Sequence, residues 1–205
     1  MTKLGIAINK TRCIGCQTCA HACKMQNNVP SGMRWNRVLT EGCDVEDGAL
    51  GEFPNLSRGY LPVACQHCEN PACLRVCPTG ATYKDALGRV EVDYEKCIGC
   101  RMCMAACPYN ARVFNWNDPK REPDFNYGDK DVPVRGKGVV EKCTLCKERT
   151  DRGEEPMCVK CCPVKARTFG DLDDPNSEIS KLVVARKAGV LLEEQGTRPQ
   201  VHYFN

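Results

Sequence analysis

The chain has 205 residues, a formal net charge of +3 and eighteen cysteines. That length suits one or two domains, and no apolar run reaches the ~20 residues of a membrane-spanning helix. Residues 1–9 show no apolar h-region, twin arginine or small-residue cleavage site, which predicts no export signal of the chain's own. With the cysteines gathered in C-x2-C groups, the composition excludes a secreted disulfide scaffold and points to metal. The charge is not concentrated in a basic tract, so no nucleic-acid partner is expected.

In chain order, Leu4, Ile6 and Ile8 alternate with Lys3, Ala7 and Asn9, which predicts a short strand over 3–9. The strand leads into Cys13, Cys16, Cys19 and Cys23, spaced C-x2-C-x2-C-x3-C, with Lys24 where a proline often stands. Residues 27–62 are rich in Asn, Gly and Pro and read as an inserted loop, with Trp35 and Phe53 as candidate anchors. Cys43 stands apart in it and is expected to be a free or buried thiol. The second group is Cys65, Cys68, Cys73 and Cys77, spaced C-x2-C-x4-C-x3-C and followed by Pro78. His67 lies between two softer thiolates and is expected to be a neighbour of the metal rather than a ligand. Residues 79–93 predict a hairpin turning at Ala86, Leu87 and Gly88, with Val90 and Val92 alternating with charged residues.

The third group is Cys97, Cys100, Cys103 and Cys107, followed by Pro108. It reads C-x2-C-x2-C-x3-C-P without a mismatch, the ferredoxin spacing for 4Fe–4S clusters. Its Cys-Ile-Gly-Cys opening repeats residues 13–16, an internal duplication. Residues 115–138 read as an exposed polar loop. The fourth group opens with Cys143 and Cys146. Closing it on Cys158 and Cys162 gives C-x2-C-x11-C-x3-C-P and matches the other endings; closing it on Cys161 gives a zinc-ribbon look. The shared Cys-Pro ending favours Cys162, with Cys161 a bystander. In the tail, Asp174 and Pro175 predict a helix start, Ile179, Leu182, Val183 and Arg186 fall at helical spacing, and Gly189 weakens or ends the helix. It either packs on the body or docks onto a partner subunit.

Strand pair, cysteine loop and short helix, twice over, is the plan of a two-cluster ferredoxin. Four groups supply sixteen thiolates, enough for four clusters. An oxidised core of charge about 2+ held by four thiolates adds about 2− per site, so four sites turn the formal +3 into about −5. No dinucleotide loop, P-loop, haem-attachment motif or acid–base pair accompanies them. Clusters fully ligated by cysteine leave no open position for a substrate, which restricts the chemistry to outer-sphere electron transfer and makes the chain non-catalytic on its own. A zinc-stabilised module is the rival reading; it would be colourless.

The order of the four groups resembles the iron–sulfur electron-transfer subunit of the dimethyl sulfoxide reductase superfamily, and is similar to the small subunits of dimethyl sulfoxide, polysulfide, thiosulfate and arsenate reductases. The likeness extends into the tail at Gly170-Asp171-Leu172-Asp173-Asp174-Pro175. The resemblance implies cross-ligation between the first and last groups and between the middle two. One cluster then takes Cys13, Cys16, Cys19 and Cys162, and its neighbour Cys23, Cys143, Cys146 and Cys158. A third takes Cys65, Cys68, Cys73 and Cys107, and the fourth Cys77, Cys97, Cys100 and Cys103. Relatives lacking a cysteine at the position of Cys100 hold a 3Fe–4S cluster; its presence here implies four 4Fe–4S clusters.

The implied fold is α+β, with two ferredoxin-like bis-cluster modules. Residues 1–26 plus 139–170 form one and 60–114 the other, with inserted loops at 27–59 and 115–138 and a C-terminal docking tail at 171–205. The implied partners are a catalytic subunit carrying a molybdenum or tungsten bis-pterin cofactor and a membrane anchor that exchanges electrons with quinol. The implied location is at the membrane through those partners, on the outer (periplasmic) face after co-export with the catalytic subunit, with the cytoplasmic face as the alternative. A free-standing polyferredoxin, or the relay of a formate dehydrogenase or hydrogenase-type complex, is the closest rival; the long loops argue for a docked subunit.

Overall fold

The alternating segment near the start forms β1 (Leu4–Asn9), and β1 is the central strand of the largest sheet. In this computed structural model, which describes residues 2–42, 48–119 and 128–205, the chain continues through α1 (Thr18–Gln26), β2 (Arg37–Thr40), β3 (Leu50–Glu52), β4 (Asn55–Ser57) and β5 (Tyr60–Val63). Then come α2 (Ala72–Arg75), β6 (Thr82–Lys84), β7 (Val90–Val92), α3 (Met102–Ala105), β8 (Arg112–Phe114) and β9 (Val140–Lys142). The last elements are α4 (Lys147–Asp151), α5 (Met157–Lys160), β10 (Arg167–Asp171), α6 (Glu178–Ala185) and β11 (Val201–Phe204). Cys43 lies outside the described residues. The fold is α+β, and among the described residues no helix is long and apolar enough to cross a membrane.

β1 pairs antiparallel with β10, Leu4 opposite Asp171 and Ile8 opposite Arg167, and parallel with β11, Ile6 opposite Val201. Because β1 is central, both its faces are covered. Ile6 and Ile8 pack on Leu145, Cys158, Val201 and Tyr203. Ala7, read as the polar side of the alternation, is buried on the other face with Ile179 and Phe204. The tail therefore completes the sheet and covers its back. The tail helix does not start at Asp174-Pro175. Its N-cap is Ser177, whose Oγ accepts the Ser180 N–H at 3.1 Å, and Asp174 is used one turn earlier to hold the Asn176 N–H. The helix ends at Ala185, before Gly189, which instead bridges to Tyr203.

The hairpin read over 79–93 is β6–β7, Thr82 opposite Val92 and Lys84 opposite Val90. Asp85 Oδ1 ties its turn by accepting the N–H groups of Leu87 and Arg89. Its alternation is not solvent-facing, however: Glu91 is buried beside Lys142 and His67. A second hairpin-like pair, β8–β9, brackets the long 115–138 connection. That connection is anchored rather than exposed at its described ends. Asn115, Val132 and Arg135 are buried, and Arg135 donates to the carbonyls of Asn27 and Asn28 and lies over the Trp35 ring. Of the two candidate anchors in the first insertion, Trp35 is one, packed on Val29, Cys23 and Cys143. Phe53 is not: it is 88% exposed at the tip of β3–β4, whose strand residues are all exposed.

Ile179 is fully buried and stands over Gly170, where a Cβ would come within 3.0 Å of it. Ile179→Ala removes this packing far from any cysteine group. It is expected to lower unfolding stability by about 2–5 kcal/mol in denaturant titration, with iron per folded chain unchanged.

Candidate metal centres

Each cysteine group begins on the same tight loop. In Cys13–Cys16 and Cys97–Cys100 the third residue is a glycine in the left-handed region, Gly15 at φ 70° and Gly99 at φ 68°. The corresponding residues of the other two loops, His67 at φ 42° and Leu145 at φ 56°, adopt the left-handed conformation without being glycine. The chain curls at this corner in all four loops. His67 is held away from a ligand role: its Nδ1 accepts the Val90 N–H at 3.1 Å, and burial pushes the ring down to about 3, so it is neutral.

The structure brings cysteines of different groups close to one another. Cys13 is faced by Cys19 and Cys162, and shares its loop with Cys16. Cys23, projecting from α1, is surrounded by Cys143, Cys146 and Cys158, and these four line one cavity together with Cys65. Cys68 is faced by Cys65, Cys73 and Cys107. Cys77, Cys97, Cys100 and Cys103 line another small cavity. At the ambiguous last group, Cys162 faces Cys13 and accepts the Ala166 N–H at 3.3 Å. Cys161 turns its sulfur to the Thr18 carbonyl at 3.8 Å, and burial pushes its thiol up to about 11.

The electrostatics of Cys23, Cys143, Cys146 and Cys158 suit thiolates held by a positive core, whereas hydrogen bonds lower the more open Cys16 and Cys77. Burial, and then the neighbouring cysteines, lift Cys23 well above the usual thiol range; burial first lifts Cys143 likewise and pushes Cys68 and Cys146 up to about 12. Four thiols that resist ionisation together need a bound cation to become thiolates. Hydrogen bonds to sulfur are already in place: Thr82 N–H to Cys77 at 3.4 Å, Leu145 N–H to Cys143 at 3.4 Å, and Asn27 Nδ2 to Cys23 at 3.6 Å. Among the described residues no three Cys, His, Asp or Glu side chains gather closely enough for a single ion. Donor sets made of cysteine sulfur alone match the soft-thiolate ligation of a 4Fe–4S core.

Two functional residues were missed by reading cysteines alone. Arg112 Nη2 donates to Cys73 Sγ at 3.1 Å and Arg167 Nη2 to Cys19 Sγ at 3.4 Å. A sequence signal for them exists: each closes a Cys-Pro-x-x-Ala-Arg segment, 107–112 and 162–167.

A family profile described as a 4Fe-4S dicluster domain matches residues 56–122 and 131–172, a second dicluster profile matches 96–150, and a 4Fe-4S binding domain matches 10–26. Over its whole length the chain is 52% identical to a Halobacterium salinarum protein named as an iron–sulfur subunit of dimethyl sulfoxide reductase, covering 80% of that protein. The chain belongs to this family of iron–sulfur subunits. It is also 36% identical to the arsenate respiratory reductase iron–sulfur subunit of a Shewanella species, over 98% of this chain and 96% of the relative. To the iron–sulfur cluster-binding subunit of a Nitratidesulfovibrio vulgaris menaquinone reductase it is 37% identical, over 99% and 89%. As an iron–sulfur subunit of this family it carries four 4Fe–4S clusters and is the non-catalytic, electron-transferring part of an oxidoreductase.

The loop geometry yields a test. A Cβ at Gly99 would sit 2.3 Å from the Gly138 carbonyl, on a backbone that L-residues rarely adopt. Gly99→Ala is expected to cost the subunit about a quarter of its iron, read by metal analysis. Gly136→Ala, where a Cβ meets nothing within 4 Å, is expected to keep all of it.

Proposed function

We propose that the chain is an electron wire between a molybdenum or tungsten bis-pterin catalytic subunit and a quinone-linked membrane anchor. The ligand sets are those given above: Cys13, Cys16, Cys19 and Cys162; Cys23, Cys143, Cys146 and Cys158; Cys65, Cys68, Cys73 and Cys107; and Cys77, Cys97, Cys100 and Cys103. In this reading residues 1–26 plus 139–170 form one bis-cluster module and 60–114 the other.

The observation that carries the reading is the linear succession of the sets. Cys19 of the first faces Cys158 of the second, Cys143 of the second faces Cys65 of the third, and Cys73 of the third faces Cys103 of the fourth. Only the two terminal sets include a solvent-exposed cysteine, Cys16 at one end and Cys100 at the other. Each is flanked by an exposed isoleucine of its Cys-Ile-Gly-Cys loop, Ile14 and Ile98. A row whose second set is fully buried and whose two ends each carry an exposed cysteine suits passage between two partners.

When bound, the clusters supply one-electron outer-sphere transfer. The protein's part is to fix their spacing, keep water from the second set and donate hydrogen bonds to sulfur. The relatives' names, which include reductases of sulfoxide, arsenate and menaquinone, support both partner classes. Attachment to the membrane, on its outer face, would come through those partners.

Purified anaerobically from its native host, the tagged chain is expected to bring down a second polypeptide with about one molybdenum or tungsten per complex. Iron-loaded chain without either metal would favour a free polyferredoxin. Cys100→Ser is expected to disturb one cluster's electron paramagnetic resonance (EPR) signal and leave three. Loss of the signals of the 65–107 set instead would overturn the ligand assignment.

A further inference from the structure

Arg112 and Arg167 occupy equivalent places in the two halves of the molecule. Each stands five residues after a Cys-Pro cysteine and opens a strand, β8 or β10. The third segment of this form, Cys77-Pro78-Thr79-Gly80-Ala81-Thr82, has Thr82 at that place, and the Arg112 guanidinium donates to the Thr82 hydroxyl at 3.2 Å. Both arginines are buried, 3% and 7% exposed. Among the described residues neither has a carboxylate within ion-pair distance. A buried guanidinium without a counter-ion is costly, and here the partners are sulfur atoms together with the Thr82 hydroxyl for Arg112 and the Asn36 side-chain oxygen for Arg167.

Those sulfurs come from two sets each. Arg112 donates to Cys73 and also lines the cavity of Cys77, Cys97, Cys100 and Cys103, where it faces Cys103. Arg167 donates to Cys19 and also lines the cavity of Cys23, Cys143, Cys146 and Cys158, where it faces Cys158. Each cation thus sits between neighbouring sets of one half of the chain.

We propose that Arg112 and Arg167 are the charge spacers of the two cluster pairs. The inference rests on the ligand sets and the two-module reading proposed above. Two all-thiolate clusters in one module repel, and adding an electron to one makes the next reduction harder. A fixed positive charge between them offsets that repulsion and favours the reduced form of both. No bond is made or broken at the arginine and it holds no transferable proton. It is a positioning charge, felt most by the cluster whose thiolate it hydrogen-bonds.

The test is a potentiometric titration of the intact complex, following each cluster by EPR, on Arg112→Gln, Arg112→Lys, Arg167→Gln and Arg167→Lys. Iron is measured on every sample. At full iron content, Arg112→Gln is expected to lower two of the four potentials, one of them by at least a tenfold change in its reduction equilibrium, about 59 mV for one electron. The other two stay in place, and Arg167→Gln lowers that complementary pair. Both Lys variants, which keep the charge, recover most of the shift. Unchanged potentials at full iron would overturn the proposal, as would Lys variants as low as Gln. The Arg167 pair keeps the test alive if an Arg112 variant loses iron. Wild-type iron well short of four clusters would instead break the ligand-set reading, a separate failure.

Discussion

The structure depends on one constraint: thiols from distant parts of the chain are packed together, many of them out of water. Burial first, and then the neighbouring cysteines, lifts Cys23 and Cys143 well above the usual thiol range. Such sets are a stable arrangement only around a positive core. The elements between them follow from this. α2, α3 and α5 have four residues each, far below the length at which a helix holds itself together. Each ends where the next cysteine must point inward, so metal binding replaces the apolar face that would otherwise hold so short a helix.

The apolar core is correspondingly small and is spent on joining the ends of the chain. β1 brings the first cysteine loop into place, β10 carries Arg167 beside it, and β11 closes the sheet from the C-terminus. With α6 behind, this sheet makes a rigid back for the first and second sets. Trp35 and Arg135 do the same for the join to the other half: the indole packs on Cys23 and Cys143 while the guanidinium lies over the ring and pairs with the buried Glu141 at 3.3 Å.

The four cysteine groups were legible because local spacing marks them, while the way they pair came only from the family resemblance. The C-x2-C loops and the Cys-Pro endings need only a dozen residues to be read, and so did the 79–93 hairpin. What was not legible depends on partners far along the chain. Ala7 and Glu91 looked solvent-facing by alternation, yet both faces of β1 and of β7 are covered by later elements. Asp174 and Ser177 are both good helix caps; only the reach of Ser177 to the Ser180 N–H decides between them. Trp35 and Phe53 were equal candidates by residue type, and the burial of one and exposure of the other come from what lies opposite. Arg112 and Arg167 each close a Cys-Pro-x-x-Ala-Arg segment, a signal that gains a meaning only once the fold sets the arginine against sulfur.

The most direct test of four thiolate-held cubanes is the iron and acid-labile sulfide content of the chain purified without oxygen, with zinc measured alongside. The account predicts about sixteen iron and about sixteen sulfide per chain, a brown colour, and zinc near zero. Zinc in place of iron, or a colourless protein with full occupancy by another metal, would contradict it.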